Sequence, residues 1–306
     1  MRNILVLGGG HGLHAVIQSL KNEKQYNIKA LISTADSGGH TGKIIEEFAV
    51  PAVGDIRRNL ASTLDSFPLL QKMLEYRFDN IHGLKNVSLG NLMILSLLEQ
   101  YDLETLLKQF KIEYKSNLLL LPLYNKPIDL HATYTDGTYG KKEHLIPSPN
   151  KKIKDVFYEE KIALSNEVVK AIKEANFIII GPGSLYTSVG AVLADETVKN
   201  MVLNSNAKII YVCNIMTEPN ETDDYTVLDH ITFIETKIGK KLDYIIANKK
   251  NLTKKQYNKY KEEGAFFVKT SKLKRVIYSD LLDSSQEYVR HDFIKLRNLL
   301  VKIIDK

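Results

Sequence analysis

The sequence predicts an α/β protein with a Rossmann-like, doubly wound parallel sheet and an antiparallel β insertion. Short apolar runs without polar alternation recur along the chain, which is typical of parallel strands that helices cover on both faces. Segments whose apolar residues have helical spacing separate these runs. Glycine-rich or polar turns follow several of the runs directly, and ligands of doubly wound folds bind beyond the carboxyl ends of the strands.

The N-terminal elements form a strand, a glycine turn and a helix. Ile4–Leu7 is an apolar run that stops at Gly8, and leucine, valine and isoleucine then recur with helical spacing. Ile28–Ile32 is a second run that predicts a strand. Four later segments have helical spacing, namely Ile56–Leu64, Leu69–Tyr76, Asn91–Gln100 and Leu103–Phe110.

Short strand candidates separated by turn signals follow, and they predict an antiparallel β insertion at residues 112–160. Within it, Asp136-Gly137 is typical of a hairpin turn. We expect this insertion to lie inside one domain that spans residues 1–306. Its strand candidates are Ile112–Tyr114, Leu118–Leu121, Asp129–Tyr134, Lys141–His144 and Ile153–Phe157.

The pattern of the core returns after the insertion. A helix is predicted over Ser165–Ala175, and apolar runs then alternate with further helical segments. Strands that alternate with helices predict a doubly wound core. The predicted strands are Phe177–Ile180, Lys208–Cys213, Tyr244–Ala247 and Arg275–Tyr278.

Composition excludes several classes of protein. With 44% hydrophobic and 25% charged residues among 306, the chain is not mainly disordered. One cysteine, Cys213, excludes an intramolecular disulfide. No stretch approaches the ~20 apolar residues of a spanning helix, and the glycine-rich start is not typical of a signal peptide. We therefore expect a cytoplasmic protein without membrane insertion.

The charge balance is mildly basic. Lys and Arg number 42 against 36 Asp and Glu, which gives a net charge of +6. The basic residues are denser between Lys249 and Arg275, and we interpret them as a solvated surface rather than a nucleic-acid interface. Small anionic ligands remain compatible with this charge balance, because they need only a few well-placed donors.

The first loop predicts a phosphate-bearing ligand. Gly9, Gly10 and Gly12 surround His11, and Gly10-x-Gly12-x-x-Ala15 fits the dinucleotide fingerprint in its Gly/Ala form. Glycines let the backbone approach a ligand closely, and the helix that follows directs free N–H groups at an anion. His11 is expected to donate to a phosphate or to stack on a ring. The alternative is a tight strand-to-helix turn without a ligand.

The second loop, residues 36–42, predicts an anion-binding concavity. A carboxylate beside an anion suits Mg²⁺ or a ribose hydroxyl, and Asp36 offers one. No cofactor is certain from these residues, and Mg²⁺ stays open. The alternative is a solvent-facing loop. The ligand-binding residues predicted here are Asp36, Ser37, Gly38, Gly39 and Thr41.

The third loop opens a helix at Gly54. Asp55 is expected either to cap this helix or to hold Mg²⁺ together with Asp36. Asn59 lies one turn further on the same face. Arg57 offers a bidentate partner to a phosphate or carboxylate.

Two further loops follow strands of the second half. Gly181, Pro182, Gly183 and Ser184 lead into a hydroxyl-rich helix start that suits a phosphate. A serine nucleophile is not favoured, because the Gly-x-Ser-x-Gly pattern is absent.

The loop after the next strand offers Asn214 and Thr217 to the same crevice. We interpret the acidic residues that follow them as a solvated turn. These are Glu221, Asp223 and Asp224.

Taken together, six ordered motifs are more specific than any single glycine loop. They are Gly8-Gly9-Gly10-x-Gly12-Leu13, Ala35-Asp36-x-Gly38-Gly39, Gly54-Asp55-Ile56-Arg57, Leu89-Gly90-Asn91-Leu92, Gly181-Pro182-Gly183-Ser184-Leu185-Tyr186-Thr187-Ser188 and Cys213-Asn214-x-Met216-Thr217. In this combination they resemble the YvcK/CofD family, and Val289-Arg290-His291-Asp292 resembles its YvcK-like branch, the gluconeogenesis factors.

The resemblance implies a Rossmann-like core whose loops form one crevice. Its CofD branch transfers a phospholactyl group to a deazaflavin precursor with Mg²⁺ and a nucleoside-diphosphate-activated donor. Its YvcK branch is associated with UDP-sugars and with cell shape and cell-wall growth on gluconeogenic carbon. The chain departs from the family pattern at Ser37, where an aspartate is usual, and at Asn220, where glycine is usual. The loss of a carboxylate at Ser37 weakens a Mg²⁺ site.

Two hypotheses follow from the resemblance. The first is a regulatory protein that binds a UDP-sugar or related nucleotide, with Asn91 in the crevice and Arg290 as a phosphate clamp. The alternative is a Mg²⁺-dependent, CofD-type phospholactyl transferase, with Asp36 and Asp55 around the metal and Arg57 offsetting negative charge. An NAD(P) oxidoreductase is a weaker third interpretation, and a homo-oligomer stays open.

Overall fold

The computed structural model describes residues 1–35, 49–270 and 273–306. In these ranges ten strands form two sheets. The strands are β1 (Arg2–Gly8), β2 (Tyr26–Ile32), β3 (Leu118–Pro122), β4 (His131–Tyr134), β5 (Tyr139–Lys141), β6 (Ile153–Phe157), β7 (Phe177–Ile180), β8 (Lys208–Val212), β9 (Tyr244–Asn248) and β10 (Val276–Ser279).

The main sheet has seven strands in the order β10-β9-β8-β7-β1-β2-β3. All of its neighbouring strands are parallel. The chain starts at the central β1, moves outward to β3, and returns to β7 on the other side of β1. The order therefore reverses between β1 and β7, where such sheets bind their ligands. The doubly wound fold class is confirmed.

The helices and helical turns lie between these strands. They are α1 (Gly10–Leu20), α2 (Gly54–Ala61), α3 (Pro68–Glu75), α4 (Leu89–Leu98), α5 (Leu103–Glu113), a 3₁₀ turn (Glu143–Leu145), α6 (Asn166–Glu174), a π-helical segment (Leu185–Gly190) that continues as α7 (Ala191–Leu193), α8 (Glu196–Leu203), α9 (Val227–Ile238), α10 (Lys254–Glu262) and α11 (Phe293–Ile304). Within the described residues, none of the helices has the length and apolar character needed to cross a bilayer.

Both faces of the parallel sheet are buried, as its uninterrupted apolar runs predict. Leu5 and Leu7 of β1 belong to one hydrophobic core. Ile4 and Val6, which point to the opposite face, belong to a second one. Burial on both faces confines the open part of the sheet to the strand ends, and the carboxyl ends are where the loops meet.

The antiparallel part is smaller than predicted. Its three strands have the order β5-β4-β6. Leu118–Leu121 was expected in it but pairs in parallel with β2 of the main sheet, because all five residues of β3 are buried. Ile112–Tyr114 is not a strand, since α5 continues to Glu113. Of the predicted strand Lys141–His144, only Lys141 is in a strand, as the last residue of β5, and Glu143 begins a 3₁₀ turn.

Candidate ligand-binding site

A cavity of about 650 Å³ lies at the carboxyl ends of the central strands, where the strand order reverses. Five separate segments line it: residues 10–15, 182–188, 214–219, 260–265 and 283–293. Its volume is typical of sites for small molecules and cofactors. Loops that are more than 200 residues apart in the chain therefore form one site, as parallel strands that end at the same edge require.

The first glycine loop turns β1 directly into α1. Gly9 is the N-cap residue of α1, and Gly10 has a left-handed φ of +59°, which favours glycine. The backbone N–H of Gly10 donates to Oδ2 of Asp55. The other first-turn amides, those of His11 and Gly12, have no carbonyl one turn earlier within the helix and lie at the cavity.

The first loop contacts the loop after β7, the fourth loop (residues 181–184), at Gly12. An ideal Cβ on Gly12 would lie 2.0 Å from the carbonyl oxygen of Pro182 and 2.4 Å from the nitrogen of Gly183. No residue with a side chain fits there. Gly181 precedes a cis peptide bond to Pro182, and Gly181 and Gly183 have left-handed φ values of +68° and +144°.

Asn214 joins the fourth loop to the loop after β8. Its Oδ1 accepts from the Gly183 N–H at 3.0 Å, and its Nδ2 donates to the Gly183 carbonyl at 2.8 Å. Thr217 joins the same loop to the segment after α10, because its Oγ1 accepts from the Phe266 N–H at 2.9 Å. Both side chains are buried and hold the cavity wall in shape.

The structure thus brings nine predicted residues to the cavity lining, and places two more behind it. The lining residues are Gly10, His11, Gly12, Pro182, Gly183, Ser184, Asn214, Thr217 and Arg290. Gly9 and Gly181 belong to the same loops without contributing to the lining. Asp36, Ser37, Gly38, Gly39 and Thr41 lie outside the described residues.

Asp55 supports the first loop from behind. It does not cap α2, which begins at Gly54 with Val53 as its N-cap and no side-chain bond. Its Oδ2 accepts from the first amide of α1, and its Oδ1 accepts from Arg58 Nη1 at 2.8 Å. The buried Asn59 donates to the Asp55 carbonyl at 2.8 Å. Capping was a wrong prediction, because α2 already begins at Gly54, and the Asp55 carboxylate accepts from the Gly10 N–H of α1 instead.

Arg57 and Asn91 are buried away from the cavity. Arg57 is 5% exposed and donates from Nη1 to the carbonyl of Leu74 at 2.8 Å. Burial lowers the pKa of its guanidinium to about 10, helped by neighbouring arginines. Asn91 lies in the first turn of α4, and its N–H donates to Ser88. Neither of these two predicted site residues lines the cavity. Arg57 joins α2 to α3, and the Asn91 N–H is part of the N-cap of α4.

A carboxylate occupies the helix start that was expected to bind a phosphate. Oε1 of Glu221 accepts from the Tyr186 N–H at 2.7 Å and from the Ser184 hydroxyl. Glu221 is 8% exposed, so its interpretation as part of a solvated turn was wrong. Asn220, in the left-handed region at a φ of 64°, bends the chain back; asparagine tolerates this conformation. Asn220, at a position where glycine is usual in the family, was the sequence signal for this bend.

Glu218 is a second site residue that sequence reasoning missed. It lines the cavity and is hydrogen-bonded to the side chains of Glu221 and Ser184. Burial, followed by the charge of Glu221, raises the pKa of Glu218 well above its usual range. Burial therefore favours the protonated form of Glu218 beside Glu221.

Three histidines of the lining are neutral. Burial, followed by the charge of Arg58, lowers the pKa of both His11 and His14 to about 4. Burial also lowers the pKa of His291 to about 4. Among the described residues, the positive charge near these imidazoles at neutral pH therefore comes from Arg58, Arg290 and the start of α1, since the imidazoles act only as neutral hydrogen-bonding groups.

Of the two carboxylates that were predicted to hold Mg²⁺, Asp36 lies outside the described residues, and a metal ion at Asp55 would compete with N–H donors. Hard cations need free anionic oxygens, and both oxygens of Asp55 are engaged by N–H groups. Among the described residues, no three His, Cys, Asp or Glu side chains converge in a way that would hold a metal ion.

Comparisons with known proteins agree with this architecture. A family model described as 2-phospho-L-lactate transferase CofD matches residues 4–305. The gluconeogenesis factor of Bacillus subtilis is 33% identical over 314 residues, covering 98% of each chain. That of Halalkalibacterium halodurans is 32% identical, covering 98% of this chain and 96% of its own. A crystal structure of a UPF0052-family protein from Bacillus halodurans has a TM-score of 0.92 at 32% identity, covering 98% and 100%. These similarities include every segment that lines the cavity.

Proposed function

The chain belongs to the CofD family, among the gluconeogenesis factors, and from this premise we propose that it is a cytoplasmic, regulatory protein that binds a nucleotide sugar. The proposed ligand is a UDP-sugar, and the proposed role is in cell shape and cell-wall growth under gluconeogenic conditions. The observation that carries the proposal is the single cavity in which donors for an anion and groups for neutral hydroxyls meet.

The diphosphate has a suitable place at the start of α1. The amides of His11 and Gly12 and the positive end of the helix dipole stabilise anions there, and Gly10 and Gly12 carry no side chain that would keep phosphates away. The Gly10 N–H already donates to Asp55, whose charge is offset by its ion pair with Arg58. Arg290 lines the same cavity and is exposed. It makes no ion pair with another described residue, so its guanidinium is available as a phosphate clamp.

The floor and rim of the cavity suit the uncharged parts of such a ligand. Tyr260, Val289 and Phe293 offer apolar contact area, and Phe293 packs edge-on against His14 with a ring distance of 5.8 Å. Nucleobases are planar and stack on such rings. The neutral imidazoles add hydrogen-bonding groups without a charge of their own.

Isothermal titration calorimetry with UDP-GlcNAc, UDP-glucose, GDP and NAD tests the proposal. We expect heat with a UDP-sugar and weaker or no heat with NAD. Arg290→Ala should weaken binding by about 10- to 100-fold, since charge-assisted hydrogen bonds contribute about 1.5–3 kcal/mol. Arg77→Ala, another exposed arginine that lies outside the cavity lining, is the matched control and should bind as the wild type does. The absence of heat with every UDP-sugar would contradict the proposal.

The description of the matching family model favours a second candidate, a CofD-type phospholactyl transferase. The engaged oxygens of Asp55 argue against it. Incubation with nucleotide-activated phospholactate, the deazaflavin acceptor and Mg²⁺ decides between the two. Product formed at a rate proportional to enzyme concentration would establish the transferase, and unchanged substrate at high enzyme concentration would count against it.

A further inference from the structure

The start of the π-helical segment is closed to phosphate, which restricts how a ligand lies in the cavity. Oε1 of Glu221 accepts from the N–H groups of Tyr186 and Thr187, at 2.7 and 3.3 Å, and from the hydroxyl of Ser184. These donors would otherwise serve an anion. With a buried carboxylate already in place, a phosphate group at this position meets like charge and no free donor.

Glu218 presents a different kind of surface beside this carboxylate. It lines the cavity, and its backbone is held in a tight turn, because its N–H donates to Thr222 Oγ1 at 2.8 Å and its carbonyl accepts from the Glu221 N–H at 3.1 Å. Its carboxyl group lies within hydrogen-bonding reach of Glu221. Oxygens of this kind accept hydrogen bonds from hydroxyl groups, which are abundant on a sugar and absent from a diphosphate.

A further polar group of the same cavity lacks a partner. His291 is 7% exposed and lines the cavity. One of its ring nitrogens is hydrogen-bonded to the backbone of Cys213, whereas Nε2 has no partner within the described ranges. A buried polar atom without a partner is costly, and a neutral hydroxyl or amide of a ligand, after a small adjustment of the wall, is the chemical match for a neutral imidazole.

The spacing between the two ends of the cavity suits a nucleotide sugar. Ser188 packs against the first loop, with its Oγ 3.8 Å from an ideal Cβ on Gly10. Ser184, at the start of the same segment, contacts Glu221. The start of α1 and Glu221 therefore contact different positions of the same π-helical segment. The sugar of such a ligand directly follows its second phosphate.

From these observations we infer that Glu218 is a specificity-determining residue that accepts a hydroxyl of the glycosyl group, while the diphosphate lies at the start of α1. This inference rests on the proposed function, because it specifies how the same ligand is oriented. It makes Glu218 the residue that distinguishes a nucleotide sugar from the free nucleotide diphosphate.

Calorimetric titration of the full chain with UDP, UDP-glucose and UDP-GlcNAc tests the inference. We expect the wild type to bind at least one UDP-sugar more tightly than UDP. Glu218→Ala should reduce this preference about tenfold and leave the Kd for UDP within threefold. Glu218→Gln keeps an amide oxygen and a hydrogen-bond donor toward Glu221, so it should retain most of the preference.

Two controls separate recognition from folding. Glu262→Ala removes an exposed glutamate that lies outside the cavity lining, and it should change neither Kd. Thermal unfolding of each variant, with Glu218→Gln as the conservative partner of Glu218→Ala, checks that the fold persists. If Glu218→Ala weakens UDP and UDP-sugar equally, or neither of them, the inference is wrong while the proposed function stands. If the wild type binds no UDP-sugar, both are wrong.

Discussion

Replacing Gly12 with alanine is expected to separate the two loops that build the candidate site. The new Cβ would lie 2.0 and 2.2 Å from the carbonyl oxygen and carbon of Pro182, and 2.4 Å from the nitrogen of Gly183. Ordinary contacts of a Cβ begin at 3.4 Å, so the loops must move apart by more than an ångström. Because these neighbours are backbone atoms, no change of side-chain rotamer can relieve the contact.

The size of the effect follows from overpacking. Forcing a methyl group into a closed contact costs typically about 1–3 kcal/mol, and we expect the upper part of this range because all three neighbouring atoms are backbone. The displaced loop also carries the Gly183–Asn214 hydrogen bonds. Gly12→Ala should therefore lower the free energy of unfolding by about 3 kcal/mol and weaken UDP-sugar binding at least tenfold.

Two other glycines provide matched controls. Gly10→Ala introduces left-handed strain at a φ of +59°, but its nearest neighbour is 3.8 Å away. Gly137→Ala has a φ of +83° and nothing within 4 Å, far from the cavity. Each should cost about 1–2 kcal/mol from backbone conformation alone, and Gly137→Ala should leave binding unchanged.

Urea unfolding and calorimetry on the same preparations measure both effects. If Gly12→Ala unfolds at the wild-type urea concentration and binds the UDP-sugar normally, the loops do not pack as described. The argument that places the ligand between them would then have no basis.

Three further predictions concern buried charged and titratable groups. The pKa of His291 is lowered from 6.5 to about 4. Between these pH values, the unfolded chain therefore binds a proton at this imidazole and the folded chain does not. Stability should be constant above pH 6.5 and fall by about 2–3 kcal/mol toward pH 4.5 on account of this residue, and urea titrations of His291→Gln should show a shallower fall. Burial and the charge of Glu221 raise the pKa of Glu218, so its contribution to stability is lost as pH rises above 4.5. The stability of Glu218→Gln relative to the wild type should therefore increase as pH rises above 4.5, and a difference that does not depend on pH would contradict the raised pKa. Arg57→Ala removes a buried hydrogen bond to Leu74 and should cost about 2–3 kcal/mol while leaving the UDP-sugar Kd unchanged in calorimetry, the reverse of what is expected for Arg290→Ala.

Local sequence patterns predicted most of the core and half of the site. The apolar run Ile4–Leu7 with its glycine turn predicted β1 and α1, because a strand covered on both faces needs no polar alternation. The run Leu118–Leu121 has the same character, but its turn-rich surroundings led to the wrong sheet. A run of leucines specifies burial without specifying the neighbouring strand, which depends on contacts distant in the sequence.

The residues of the site show the same difference between local and long-range information. Glycines at loop positions and polar residues just after a strand are determined locally, and Gly12, Gly183 and Asn214, which were predicted on this basis, line one cavity. Charged residues are different, since their role depends on which groups meet them. Asp55 turned to the start of α1, and Glu221 filled a helix start that was expected to be free.

The amino-acid sequence by itself determined most of the strands and helices of the core, the positions of the glycine turns and the edge of the sheet where they gather. Only the tertiary structure decided which turns touch, which carboxylates are already bound within the protein, and which side chains face the cavity. The physical reason is the separation along the chain of the residues that interact. Backbone conformation and burial pattern depend on residues a few positions apart, whereas the pairing of charges and the shape of a cavity depend on segments that folding brings together from opposite ends of the chain.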